Sequence, residues 1–173
     1  MPNYKTITKL GSVSRAKDFL QNPFWVCIGR TTPWDENEDN PPEAIITTVA
    51  IDEPILYKHL TQKYHVQPVT VEGDFYIDGQ WYKVITEDEA RDNLIPYVLL
   101  TNTITYNDIG DDTITFRQIG VYSRLIPKEG YENHELLTPD QVEDPGWLEW
   151  YANLEPVRVQ PNQTLTFYIV IVM

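Results

Sequence analysis

Residues 73–86 read "GDFYIDGQWYKVIT". Residues 75–77 and 81–85 are short runs rich in aromatic and β-branched side chains, which fit a pleated surface. Between them Asp78-Gly79 accepts the positive φ angles of a tight turn, so the stretch predicts a β-hairpin. Thr86 closes it and is followed three residues later by Glu89, the reciprocal arrangement that satisfies orphan amides at a helix start. A helix of about two turns is therefore expected over "TEDEARDN". Asn93-Leu94-Ile95-Pro96 ends it, because proline disfavours helical geometry in the residue before it.

Outward from this unit, β signals dominate. "YVLLTNTITY" (97–106) and "DTITFRQIGVYSRLI" (112–126) read as strands joined by the polar turn "NDIGDD". "FWVCI" (24–28) is an apolar run in which Cys27 is expected to be a buried strand residue. "TLTFYIVIVM" (164–173) is apolar nearly throughout and is expected to be covered on both faces. It would lie centrally in its own sheet or be completed by another subunit. Near the amino end, "SRAKDFLQNP" (14–23) predicts a short helix with Ser14 as its cap and Ala16, Phe19 and Leu20 at helical spacing before Pro23. Residues 30–43 and 127–163, rich in Pro, Asn, Asp and Glu, read as long irregular stretches, and loops beyond about 15 residues usually have a function. The expected fold is mostly β: a β-sandwich-like single domain over residues 1–173, with one or two short helices and long loops. Its parts would be an N-terminal arm and short helix (1–23), a long loop region (127–163) and a C-terminal strand (164–173).

Charge narrows the function. Thirteen basic side chains against 26 acidic ones give a net charge of −13 over 173 residues, which repels phosphate backbones and argues against nucleic acid as a partner. One cysteine provides no intramolecular disulfide. The amino terminus has no apolar core of signal-peptide length, and no apolar run approaches the roughly 20 residues of a membrane span, so no membrane partner is expected.

The chemistry-bearing residue types form no recognisable catalytic set. Asp35, Asn37 and Asp39 have the odd spacing of a calcium loop, but Asn40 stands where the turn glycine belongs and Ile46 where the bidentate glutamate belongs. His59, His65 and His134 contain no pair spaced for a helical zinc site and are read as surface histidines. No serine lies in a G-x-S-x-G elbow, and the Cys27 thiolate would be disfavoured by desolvation. No phosphate-cradling glycine loop is present, and the many acids single out no glycosidase pair. Neither an enzyme nor a cofactor is expected. Trp34, Trp147 and Trp150, read as loop residues, suit either a carbohydrate-stacking platform or a protein interface.

Three stretches in order, "FWVCIGRTTPWDENEDNPP", "FRQIGVYSRL" and "GWLEWYANLEPVRVQPNQTLTFYIVIVM", resemble baseplate wedge proteins and related virion structural proteins of contractile-tailed bacteriophages. The matching elements are Ile28, Gly29, Arg30, Pro33, Trp34, Asp35, Asn40, Pro41 and Pro42, then Arg117, Ile119 and Gly120, then Asn153, Pro156, Val157, Arg158 and Gln163. The resemblance implies a wedge-type tail subunit that assembles in the host cytoplasm and is carried in the virion. Its partners would be other tail or baseplate proteins, with many copies in a symmetric ring. A head-to-tail neck protein and a virion carbohydrate-binding module are the alternatives. The candidate interface comprises Arg30, Pro33, Trp34, Asp35, Pro41, Pro42, Arg117, Trp147, Trp150 and Arg158. Prolines around Trp34 limit backbone freedom, so the ring could dock with little loss of entropy. Arg30 and Arg158, few among many acids, are expected to pair with carboxylates, either internally or across an interface.

Overall fold

The computed structural model of the chain describes residues 7–35, 40–110 and 114–173. Asn37 and Asp39 of the calcium-like spacing lie outside the described residues, as does the start of the strand expected from residue 112. In chain order the elements are α1 (Lys9–Gln21), β1 (Phe24–Gly29), β2 (Leu56–Leu60), β3 (Gln62–Val69), β4 (Phe75–Ile77), β5 (Gln80–Ile85), α2 (Glu87–Asp92) and β6 (Tyr97–Thr105). There follow α3 (Tyr106–Ile109), β7 (Thr115–Ser123), β8 (Ile126–Pro127), β9 (Leu136–Leu137), β10 (Val142–Asp144), β11 (Trp147–Arg158) and β12 (Thr164–Val172). The fold is mostly β with short helices, as the sequence predicts. Two compact units can be distinguished: Met1–Asn22, Gln62–Thr101 and Phe167–Met173 form the first, and Pro23–Thr61 with Asn102–Thr166 form the second.

The first unit rests on a five-stranded sheet in the order β12-β6-β3-β5-β4. The predicted hairpin is β4–β5, with Asp78 at φ 49° and Gly79 at φ 82°, the paired positive angles that match strand twist. At α2 the Thr86 hydroxyl accepts from Glu89 N, and the Glu89 carboxylate accepts from Thr86 N at 2.8 Å, so the predicted capping box is present. The first helix differs from expectation. It starts at Lys9 because the Thr8 hydroxyl accepts from Gly11 N at 3.0 Å, which leaves Ser14 inside the helix rather than at its cap. Val13 of α1 packs with Ile85 and Ala90, and Lys17 pairs with Glu87 at 2.7 Å.

Two further expectations need correction here. His65 is not a surface residue: it lies on β3 with 9% exposure, and its Nδ1 has no hydrogen-bond partner. Burial lowers its pKa, with the Glu87 charge opposing that shift. The closing strand β12 is an edge strand beside β6, not a central one, and only Ile169 in it is buried. Its alternating Thr164, Thr166 and Tyr168 face solvent, so its pattern is that of a half-covered edge.

The second unit is built on an antiparallel sheet in the order β11-β7-β1-β2-β9, accompanied by a β8–β10 ribbon. β1 lies in the middle and is buried along its whole length, as its unbroken apolar run requires. Trp25 and Cys27 point into a cluster with Ile51, Tyr57, Tyr122, Leu125 and Leu137. Burial pushes the Cys27 thiol up to about 12, so it is a core side chain and not a nucleophile. The stretch 127–163 is not one long loop. It carries β9, β10 and the 12-residue β11, so Trp147 and Trp150 are strand residues.

Two glycines show where another segment crosses this sheet. A Cβ on Gly29 would stand 2.5 Å from Asp52 O and 2.5 Å from Ile51 Cγ2, and one on Gly120 would stand 2.8 Å from Ile51 Cδ1. Residues 51–53 therefore lie against β1 and β7 at a separation that only glycine permits. Gly29→Ala should lower stability by about 1–3 kcal/mol, read as a reduced denaturation midpoint with an unchanged m-value, because a backbone carbonyl must move.

Candidate functional site

The segment that crosses the sheet is a strap running from Pro41 to Glu53. Side chains of β7 and β11 hold its backbone. Tyr122 Oη accepts from Ile51 N at 2.7 Å, and Gln118 Oε1 accepts from Asp52 N at 2.8 Å. Asn153 Nδ2 donates to Pro42 O at 2.8 Å, while Gln118 Nε2 donates to Asn153 Oδ1 at 2.9 Å and fixes that amide. Tyr151 Oη accepts from Ile45 N and from Thr48 Oγ1, the latter at 2.9 Å. A turn closes between Ile45 and Thr48, whose N donates to Ile45 O at 2.9 Å.

At its far end the strap is latched to the loop after β1. Arg30 N donates to Asp52 O at 2.6 Å. Glu53 accepts from Thr31 N at 2.9 Å, Thr32 N at 3.0 Å, and the hydroxyls of both threonines at 2.5 Å. These donors, the Thr31 hydroxyl foremost, hold the Glu53 carboxyl down to about 2. Arg30 and Glu53 both adopt left-handed backbone, at φ 57° and 44°, which costs of order 1 kcal/mol or more each and persists because the latch fixes them.

The sequence candidates distribute over this architecture. Arg30 pairs with Asp52 at 2.9 Å, donates from Nη2 to Pro33 O at 3.4 Å, and lies 4.0 Å over the Trp34 ring. Trp34 is half-buried, and its Nε1 donates to Leu154 O at 2.9 Å, so the ring docks on its own β11. Arg117 is buried on β7 and donates to Thr31 O. Pro41 is half-buried; Pro33, Asp35 and Pro42 are exposed. These residues gather around the latch. Trp147 and Arg158 stand at opposite ends of β11, paired with Ser123 and Thr115. Trp147 is 61% exposed, with the Arg124 guanidinium 4.2 Å from its ring centroid. Trp150 is half-buried and lines a cleft of about 300 Å³ together with Ile45, Ile46 and Glu149.

Sequence reasoning missed the residues the strap displays. Ile45 is 61% exposed, Ile46 100% and Val49 81%, although their backbone is tethered at both ends. Neither a metal-binding cluster of three or more His, Cys, Asp or Glu side chains nor a membrane-length apolar helix is found among the described residues.

The family model described as "Baseplate wedge 3 tail fiber network component" matches residues 5–173. "Virion protein 3" of Enterococcus phage phiEF24C is 32% identical over 155 residues, covering 83% of this chain and 78% of that protein.

Two outcomes follow from the latch. Glu53 has a depressed pKa in the folded chain, so its contribution is present above the usual glutamate value and is lost as pH falls toward about 2. Melting temperature should therefore decline through this acid range in the native protein, and more shallowly in Glu53→Gln, when melts are compared across pH. Trp34→Phe keeps a smaller aromatic ring but removes the donor to Leu154 O, a hydrogen bond worth about 0.5–1.5 kcal/mol, and should lower stability by at least that much in a denaturant titration.

Proposed function

Since the chain belongs to the baseplate wedge 3 tail fiber network family, we propose that it is a wedge-type subunit that grips neighbouring baseplate proteins through its strap. At the coarser level, it is a structural protein of the phage tail, carried in the virion. Its role is mechanical attachment rather than catalysis, and it occupies the baseplate in several copies arranged around the tail axis. Symmetry would multiply contacts that are individually modest.

The observation that carries this reading is Ile46, wholly exposed on a backbone fixed by side chains of β7 and β11. Burying one such aliphatic side chain yields about 1.5–3 kcal/mol, and a pre-held backbone loses little entropy on docking. Arg30 and Trp34, by contrast, support the strap from within the chain. The carbohydrate-binding alternative has weaker support, because guanidinium groups lie over the Trp34 and Trp147 rings and Trp150 is half-buried.

Ile46→Asp tests the attachment. The variant should melt like the native protein, because nothing packs on that side chain, and should incorporate into particles at least about tenfold less well, measured by quantitative mass spectrometry of purified phage. Native-level incorporation would remove the strap from the interface.

A further inference from the structure

The two units differ sharply in charge. The second holds 18 of the 26 acidic side chains and 6 of the 13 basic ones, a net charge of −12 out of −13. The strap belongs to this acidic unit. Exposed Glu149, whose Oε1 accepts from Ser123 Oγ, lines the cleft with Ile45 and Ile46, and exposed Glu43 lines the neighbouring cleft of about 190 Å³ with Trp34 and Tyr151. Asp52 shares that second cleft and is held by Arg30. Among the described residues, no lysine or arginine lines either cleft.

An apolar tip with an acidic rim selects by both properties. Its aliphatic side chains require a hydrophobic groove, and its carboxylates stabilise cationic groups at the mouth of that groove while penalising acidic ones. A second copy offering the same unit would bring −12 against −12 and so is disfavoured.

Resting on the strap being the attachment surface, we propose that its occupant is a different virion polypeptide with a hydrophobic groove flanked by lysine or arginine. The strap's aliphatic residues enter the groove, and Glu43 and Glu149 face the cations at its rim.

The single native thiol makes a site-specific test feasible, because Cys27 is fully buried and stays protonated. An Ile46→Cys chain carrying a benzophenone maleimide is supplied during particle assembly, irradiated, and its cross-linked peptides sequenced. The expected product joins residue 46 to another virion protein, with lysine or arginine close to the attachment point. Cross-links to this same chain, or to an acidic segment, would overturn the partner assignment while leaving the strap as an interface. Absence of any cross-link, with residue 46 open to labelling in finished particles, would overturn the attachment reading itself. The charge arm uses Glu43→Lys and the milder Glu43→Gln, because Glu149 also accepts from buried Ser123 Oγ and its replacement would disturb the fold. Incorporation should fall severalfold for the lysine variant and less for the glutamine variant, with unchanged melting. Incorporation at or above the native level in the lysine variant would overturn the proposed basic partner.

Discussion

Everything distinctive about the second unit depends on the close approach of residues 51–53 to β1 and β7. Gly29 and Gly120 have no Cβ at the two points where Ile51 and Asp52 would collide with one. That gap lets Ile51 enter the core beside Trp25, Cys27 and Tyr122, and it brings the strap backbone within reach of Tyr122 and Gln118. Without this contact, Glu53 could not reach Thr31 and Thr32, and the Arg30–Trp34 loop would lose its anchor.

The strap is held in an unusual way for an apolar sequence. Its fixed points are hydrogen bonds accepted by Tyr122, Gln118 and Tyr151 and one donated by Asn153, each contributing about 0.5–1.5 kcal/mol, together with one buried isoleucine. Its aliphatic side chains at 45, 46 and 49 contribute little to the isolated fold because they remain in solvent. Exposed apolar groups on an ordered backbone are what the proposed attachment surface requires, since neither folding nor solubility gains from them. The net charge of −13 offsets the solubility cost by keeping free chains apart.

Local signals were legible in the sequence and distant ones were not. The Asp78-Gly79 hairpin and the Thr86–Glu89 box each depend on residues within a few positions of one another, and both are present as read. The β1 run could be read because a strand buried on both faces has no polar interruption. β11 escaped notice because it lies at a sheet edge, changes register twice and contains Pro156, so its alternation is broken. Pro68 likewise obscured β3, which runs between β6 and β5. At the candidate site, Trp34 stood out as a ring between prolines, but its docking on Leu154 spans 120 residues of chain. Nothing local marks Ile45 and Ile46 as exposed, and the two strand glycines, Gly29 and Gly120, were the sequence hint that another segment passes over β1 and β7.

His65 gives the first unit a different temperament from the second. Its imidazole lies on β3, largely buried and lacking a partner for Nδ1, so accepting a proton there is unfavourable even with Glu87 nearby. An unfolded chain has no such reluctance. As acidity rises past the ordinary histidine value, proton uptake therefore favours opening around β3 and the two helices beside it.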